Sequence, residues 1–317
     1  MKVGIVGSGM VGSATAYAMA MRGIGREMVL VDIVAERARA EANDIQHAIS
    51  ATPLPMQVTA GDYDALVGSN VVVITAGLPR KADQSRLELL EANARIFQDM
   101  IPKIMAHAAD AVLVVVSNPV DIMTHLTARY AAAYGVPAHR VIGTGTGLDT
   151  ARFRAELGRY LGVDAKYIDG YVIGEHGDSQ VLAWSTVTVG GVPLARYGEQ
   201  RRIKMDAEAQ AELQDAIRRG GAAIIAGKGA TYYGIGSVTA SIVEIILRDE
   251  QAVLTCCTPT AEVEGVADVT LSLPRLVNGG GVLDTFALSL NAAEQNGLRK
   301  SAEVIRDAIA SLDEAMA

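Results

Sequence analysis

Cysteine and aromatic side chains are scarce in this chain, and positive charge is not in excess. The two cysteines, Cys256 and Cys257, are neighbours in an apolar, strand-like run. Adjacent strand residues point to opposite faces, which argues against a disulfide between them, and their spacing suits no zinc site. Aromatic residues make up 4% of the chain, so the core must be built mostly from Ala, Val, Ile and Leu. The net charge of −8 argues against a nucleic-acid surface, which needs a basic face to neutralise phosphates. No apolar run reaches the roughly 20 residues of a membrane span. No charged-then-apolar leader precedes the first strand, so the expectation is a soluble, cytoplasmic protein with neither nucleic-acid nor membrane partners. Internal repeats, low-complexity stretches and long linkers are also lacking.

What is present is hydrophobic mass and a great deal of glycine. A length of 317 residues, half of them hydrophobic, suits two domains sharing a core or one large α/β unit. Lys2 to Val6 reads as a buried strand, followed at once by Gly7-Ser8-Gly9-Met10-Val11-Gly12. Ser13 to Met21 then reads as a helix of small residues, and Met28 to Val31 as a second strand ending in Asp32. In this context the first glycine makes a turn, the second lets backbone approach a pyrophosphate, and the third lets helix and strand pack closely. The helix N-terminus receives the anion. Asp32 accepts hydrogen bonds from ribose hydroxyls and repels a 2′-phosphate, and Ile33 and Val34 bring no compensating arginine, so NAD is favoured over NADP.

Strand and helix continue to alternate: helix Ala35 to Ile49, strand Val71 to Thr75, helix Leu87 to His107, strand Ala111 to Val116, helix Val120 to Tyr134 and strand Val141-Ile142. Short links between such elements signal a parallel, doubly wound sheet. Ligands bind at the carboxyl ends of its strands, where Gly7–Gly12, Thr75-Ala76-Gly77 and Ser117-Asn118 fall. Asn118 suits contact with cofactor and substrate, or simply an Asn-Pro turn. A Rossmann-type domain over residues 1–143 is therefore expected, then an α+β catalytic domain over 144–317, with helices at Ala207 to Lys228, Thr231 to Arg248 and Ser289 to Ala315.

Three stretches carry candidate chemistry. Leu78 to Arg86 holds Arg80, Lys81 and Arg86 at the edge of the cofactor cleft. Arginine meets a carboxylate with a planar fork and stays charged, and a loop of this kind can close over substrate. Asp149 and Arg152 lie three apart on one helical face, either as a helix cap with an ion pair or as part of a site. A strand from Ile168 to Ile173 delivers His176 into a turn bounded by Gly174 and Gly177. Alone such a histidine is more often structural, but it is the side chain that exchanges protons near neutral pH. An aspartate on one imidazole nitrogen would fix the tautomer and raise the basicity of the other. Thr231 either reaches the same pocket or caps a helix.

With these motifs in order, including Ser117-Asn118-Pro119-Val120-Asp121, Asp149-Thr150-Ala151-Arg152 and Gly174-Glu175-His176-Gly177-Asp178-Ser179, the whole chain resembles the L-lactate/malate dehydrogenase family. The stretch Gly229-Ala230-Thr231-Tyr232-Tyr233-Gly234 is most similar to bacterial lactate dehydrogenases. The resemblance implies reversible hydride transfer between NAD and C2 of a 2-hydroxy acid. His176 then takes the place of the acid/base, Asp149 of its orienting partner, Arg152 of the carboxylate clamp, and Arg86 of the loop arginine that polarises the carbonyl. Substrate contacts fall on Arg80, Arg86, Asn118, Arg152 and Thr231. Cofactor contacts fall on Gly7, Gly9, Met10, Val11, Gly12, Asp32, Thr75, Ala76, Gly77, Asn93, Val116 and Asn118. No metal is implied, and a homotetramer or dimer is.

In this family the residue six before the loop arginine follows specificity: Gln in lactate-specific members, Arg in malate-specific ones. Here it is Arg80. A second substrate carboxylate buried without a partner would be costly, and Arg80 would pair with it. The expectation is therefore a malate dehydrogenase of the tricarboxylic acid cycle acting on a 2-hydroxy/2-oxo dicarboxylate. L-lactate dehydrogenase or another 2-hydroxy acid dehydrogenase is the enzyme alternative. A catalytically idle NAD-binding protein is the non-enzyme alternative.

Overall fold

Strands covered on both faces read as unbroken apolar runs, and five such strands, with a more polar edge strand, build the first part of this molecule. The structure, a computed structural model, describes residues 1–52, 54–78 and 86–316, with the side chain of Arg86 excepted. In chain order β1 (Lys2–Val6), α1 (Met10–Arg22), β2 (Glu27–Val31), α2 (Ala35–Ser50), β3 (Gln57–Ala60), β4 (Val71–Ile74), α3 (Arg86–Ala108), β5 (Val112–Val115), α4 (Val120–Ala132) and β6 (Val141–Gly143) alternate. The six strands are parallel, in spatial order β3-β2-β1-β4-β5-β6. The order reverses between β1 and β4, and ligands of open α/β sheets bind beside such a switch point.

The remaining elements are α5 (Gly147–Leu161), β7 (Ile168–Asp169), β8 (Val172–Ile173), β9 (Val181–Leu182), β10 (Thr188–Val189), β11 (Val192–Pro193), α6 (Leu194–Arg201), α7 (Ala207–Lys228), α8 (Tyr233–Arg248), β12 (Ala252–Val263), β13 (Val266–Asn278), β14 (Gly281–Thr285) and α9 (Ala292–Met316). The antiparallel strands β12, β13 and β14 join the first sheet, because β12 bridges β6 at Cys257 and Gly143. Among the described residues the result is one nine-stranded sheet rather than two separate ones. The class is a Rossmann-type parallel sheet followed by an α/β part.

Period-2 alternation divides the core. Val6, Val72 and Ile74 pack with residues of α3, α4 and α9. Val3, Ile5, Val71 and Val73 pack on the opposite face with α1, α2 and α8. A third cluster, around Phe153, Leu157 and Ile168, ties α5 to the small sheets. Cys256 and Cys257 are both buried and free. Among the described residues no single helix is long and apolar enough to cross a membrane.

One expected strand is broken. The run from Ile168 to Ile173 is not one strand: β7 pairs with β10, whereas β8 pairs with β9. Gly170 sits at the break, where an added Cβ would lie 3.1 Å from the Phe153 ring. The stretch from Trp184 opens as a 3-10 turn over Trp184–Thr186, and only Thr188–Val189 is strand. Two short strands, β3 and β14, carry too little apolar pattern to be expected from sequence.

Gly143, at the seam between β6 and β12, has no room for a side chain: a Cβ there would overlap Thr124 Oγ1 and Cys257 Sγ, both buried. Gly143→Ala is expected to lower stability by about 1–3 kcal/mol through overpacking. Denaturant unfolding checks this, and an unchanged midpoint would show that the seam relaxes freely.

Candidate active site

Two adjoining cavities open at the carboxyl ends of the parallel strands. The larger, about 940 Å³, is lined by Gly7, Gly9, Asp32, Thr75, Ala76 and Gly77 among others. Asp32 is fixed at the end of β2, where its Oδ2 accepts from the Ser8 N–H (2.6 Å) and its Oδ1 from the Val34 N–H (2.9 Å). Thr75 Oγ1 donates to Gly7 O (2.7 Å), tying the first two strand ends together. Ser117 Oγ donates to Ala76 O (2.6 Å), tying the third.

The glycines differ in what they are for. Gly7 has φ +103°, and a Cβ there would meet the Ala76 backbone; one at Gly12 would overlap Gly7 O. Both are explained by packing inside the protein. A Cβ on Gly9 would meet nothing within 4 Å, and Gly9 lines the cavity at the start of α1 with no side-chain cap on that helix. Space beyond Gly9, uncapped helix N–H groups and an anchored carboxylate at Asp32 fit a dinucleotide, with its pyrophosphate on the helix end and its ribose on Asp32.

The other expected cofactor residues spread out. Val11, Val116 and Asn118 line the second cavity. Met10 is exposed at the first position of α1, and Gly12 is buried. Asn93 is a buried strut: its Oδ1 accepts from the Leu78 N–H (2.8 Å) and its Nδ2 donates to Asn118 O (3.2 Å).

The second cavity, about 390 Å³, brings together Asn118, Asp149, Arg152, His176 and Thr231. Asp149 sits in the first turn of α5 and is 4% exposed. Its Oδ2 lies 2.6 Å from His176 Nδ1, and its Oδ1 accepts from Arg152 Nη1 (3.3 Å). An ionised carboxylate only accepts, so Nδ1 carries the proton and Nε2 is the basic nitrogen left for a ligand. Burial pulls the imidazole toward neutrality, but the Asp149 hydrogen bond and charge, with that of Asp121, outweigh it and raise its proton affinity. Burial likewise disfavours the Asp149 charge, yet the hydrogen bond and charge of His176, with Arg152, hold its carboxyl below the ordinary value.

Backbone and hydroxyl contacts set this geometry. Thr146 Oγ1 donates to Val172 O, and the Val172 N–H donates to Thr150 Oγ1 (3.0 Å), so α5 and β8 are tied side by side. Gly174, with φ +87°, turns the chain out of β8 and bonds both ways with Ser272. The Glu175 N–H donates to Ser301 Oγ (2.7 Å), and Glu175 Oε2 accepts from Ser179. The His176 N–H donates to Asp121 Oδ2 (2.7 Å). Asp121 was given no role from the sequence, although it ends the motif Ser117-Asn118-Pro119-Val120-Asp121; a carboxylate between apolar Val120 and Ile122 was the available signal. Arg218 and Gln180 also line this cavity and were not anticipated.

Arg80, Lys81 and Ala82-Asp83-Gln84 lie outside the described residues. Arg86 opens α3 by its backbone, and its side chain lies outside the description. No metal-holding cluster of His, Cys, Asp or Glu occurs among the described residues.

The chain matches two family models end to end: lactate/malate dehydrogenase, NAD binding domain, over residues 1–143, and lactate/malate dehydrogenase, alpha/beta C-terminal domain, over residues 146–315. It is 51% identical to an L-lactate dehydrogenase of Geotalea daltonii over 313 residues, covering 99% of this chain and 100% of the relative. It is 47% identical to an L-lactate dehydrogenase of Thermus aquaticus, covering 98% and 99%. A solved ligand-bound minor L-lactate dehydrogenase of Enterococcus mundtii superposes with a TM-score of 0.93 at 39% identity, covering 98% of each chain. A lactate dehydrogenase from a Medee basin deep-sea metagenome gives 0.94 at 35% identity, again covering 98% of each chain.

These likenesses overturn the expectation of a malate dehydrogenase of the tricarboxylic acid cycle. Relatives at 46–51% identity over essentially full length are named L-lactate dehydrogenases. The malate expectation rested on the charge of one residue, Arg80. No pairing of Arg80 with a second carboxylate stands behind it, since that residue lies outside the described part.

The His176–Asp149 pair has a defined pH signature. His176, raised from 6.5, stabilises the fold fully below that value and loses the contribution as pH rises through its folded value. Asp149, lowered from 3.8, contributes above that value and loses it as pH falls through its folded value. The stability lost in Asp149→Asn is therefore expected to be greatest between 3.8 and 6.5 and to shrink at alkaline pH, measured by denaturant unfolding across pH. A pH-independent loss would mean that the pair is not ionic.

Proposed function

The chain belongs to the lactate/malate dehydrogenase family, and from that premise we propose that it is an NAD-dependent L-lactate dehydrogenase interconverting L-lactate and pyruvate. The NAD-dependent oxidoreductase class follows from the family; the substrate, the residue roles and the assembly are the proposal. The observation that carries the roles is the 2.6 Å contact of His176 Nδ1 with buried Asp149, in one cavity with Arg152 and Asn118. When bound, NAD supplies the redox couple that takes hydride from C2 of the hydroxy acid or returns it.

The chain's own groups do the rest. Arg152 offers its guanidinium fork to the substrate carboxylate while Asp149 Oδ1 steadies its other side. With Nδ1 committed to Asp149, His176 Nε2 accepts the hydroxyl proton during oxidation and gives it to the carbonyl oxygen during reduction. Asp149 stabilises the imidazolium in between. Arg86 is assigned the polarisation of the carbonyl, where charge develops in the transition state. Asn118 and Thr231 complete the polar wall around the reacting carbon. An idle NAD-binding protein has no need of an acid, a base and a clamp in one cavity, which disfavours that reading. Family resemblance supports a cytoplasmic homo-oligomer, a tetramer or dimer.

The substrate is tested by initial rates with NADH. Pyruvate is expected to exceed oxaloacetate in kcat/KM by at least about tenfold. A preference for oxaloacetate would sink the lactate reading.

A further inference from the structure

His176 is bracketed by two carboxyls, Asp149 on its ring and Asp121 on its backbone. Asp121 is the second residue of α4 and is 2% exposed. Its Oδ2 accepts the His176 N–H at 2.7 Å. Its Oδ1 is buried and, among the described residues, receives no N–H or O–H; the weak thiol of Cys257 is the carboxyl's other hydrogen-bonding neighbour. Residues on both sides of it in α4, Val120, Ile122 and Met123, are buried and apolar.

A buried carboxylate with one N–H and one weak thiol as its donors is an expensive way to hold one backbone N–H. An asparagine carbonyl would accept the same hydrogen bond. What asparagine would not bring is charge, and the imidazole in the candidate site responds to that charge. We propose that Asp121 is a positioning residue for His176: it clamps the His176 N–H so that the ring faces Asp149, and its negative charge helps the imidazole hold a proton.

The other charged and titratable groups around the pair are few. Asp149 and Arg152 face the imidazole from α5, with opposite signs. Glu175 belongs to the histidine turn and opposes ionisation of Asp121. Asp178, in the same turn, and Arg218, on α7, line the cavity. Arg86 opens α3. Cys257, from β12, is buried as a thiol 3.5 Å from Thr124 Oγ1 and also hydrogen-bonds the Asp121 carboxyl, which favours ionised Asp121 and keeps the thiol protonated. His125, one turn along α4, is engaged with Thr270. Burial pushes the Asp121 carboxyl up to about 6, against the backbone hydrogen bond and charge of His176 and the hydrogen bond of the Cys257 thiol. Proton binding at the two sites is therefore linked: a protonated His176 favours ionised Asp121, and ionised Asp121 favours protonated His176.

The origin of the proton in a substrate hydroxyl rests on the lactate dehydrogenase reading, but the linkage does not. The experiment titrates His176 by NMR in the full-length, histidine-labelled protein with NAD bound, using His176→Asn to assign the resonance. In Asp121→Asn the His176 midpoint is expected to fall by about one pH unit, with a thermal unfolding midpoint near that of the wild type. The acidic limb of the kcat/KM profile for lactate oxidation should move down by the same amount. An unmoved His176 midpoint would overturn the proposal, whatever happened to stability. Should Asp121→Asn fail to fold, the wild-type curve decides. A second inflection in the His176 resonance, near where Asp121 titrates, supports the linkage, and a single-site curve refutes it. A shifted midpoint in a protein inactive on lactate would sink only the substrate reading. An unshifted midpoint in an active enzyme would sink only the role of Asp121.

Discussion

One carboxylate, that of Asp149, is shared between an imidazole and a guanidinium, and the candidate site depends on it. Buried and acceptor-only, it imposes a tautomer on His176 and an orientation on Arg152 at the same time. A charge so placed is tolerable because both oxygens are engaged and both partners can be cationic. The surrounding fold fixes the donors. Thr146 and Thr150 bind α5 to β8, Gly174 turns the chain, and Ser301 of α9 with Glu175 closes the turn that presents His176. Side chains separated by 27 residues in sequence meet because a sheet edge and a helix start are stitched by backbone groups.

The same logic places the cofactor cleft beside this site. The strand order β3-β2-β1-β4-β5-β6 reverses next to β1, which leaves the ends of β1, β4 and β5 facing a common crevice. Short hydrogen bonds from Thr75 and Ser117 cross between neighbouring strand ends and hold the crevice at fixed width. Asn93 reaches from α3 to the segments that follow β4 and β5.

Features with a steric or periodic cause were legible in the sequence. Gly7 and Gly12 have no room for a Cβ, Asp32 must end a strand to be anchored by Ser8, and apolar runs on both faces require a covered parallel sheet. Asp149, Arg152 and His176 were legible because helical spacing puts the first two on one face and glycines bound the third. What depends on long-range pairing was not. That β12 would extend the first sheet rests on one bridge between Cys257 and Gly143, which no local pattern announces. The break at Gly170 looked like a strand interior because its neighbours are apolar. Asp121 resembled an ordinary acid in a first helical turn, and only its burial against the His176 N–H distinguishes it. Substrate preference was misread because the charge of a single residue, Arg80, was weighed against a likeness spread over the whole chain.

The central claim is that proton transfer belongs to His176 while cofactor binding belongs to the separate crevice at Gly9 and Asp32. The most direct test is His176→Asn, with NADH affinity read by fluorescence and turnover by NADH oxidation with pyruvate. NADH affinity is predicted to stay within about twofold of wild type while kcat falls by about 10²–10⁴-fold. Turnover near the wild-type rate would contradict the account, as would a loss of activity traced wholly to lost NADH binding.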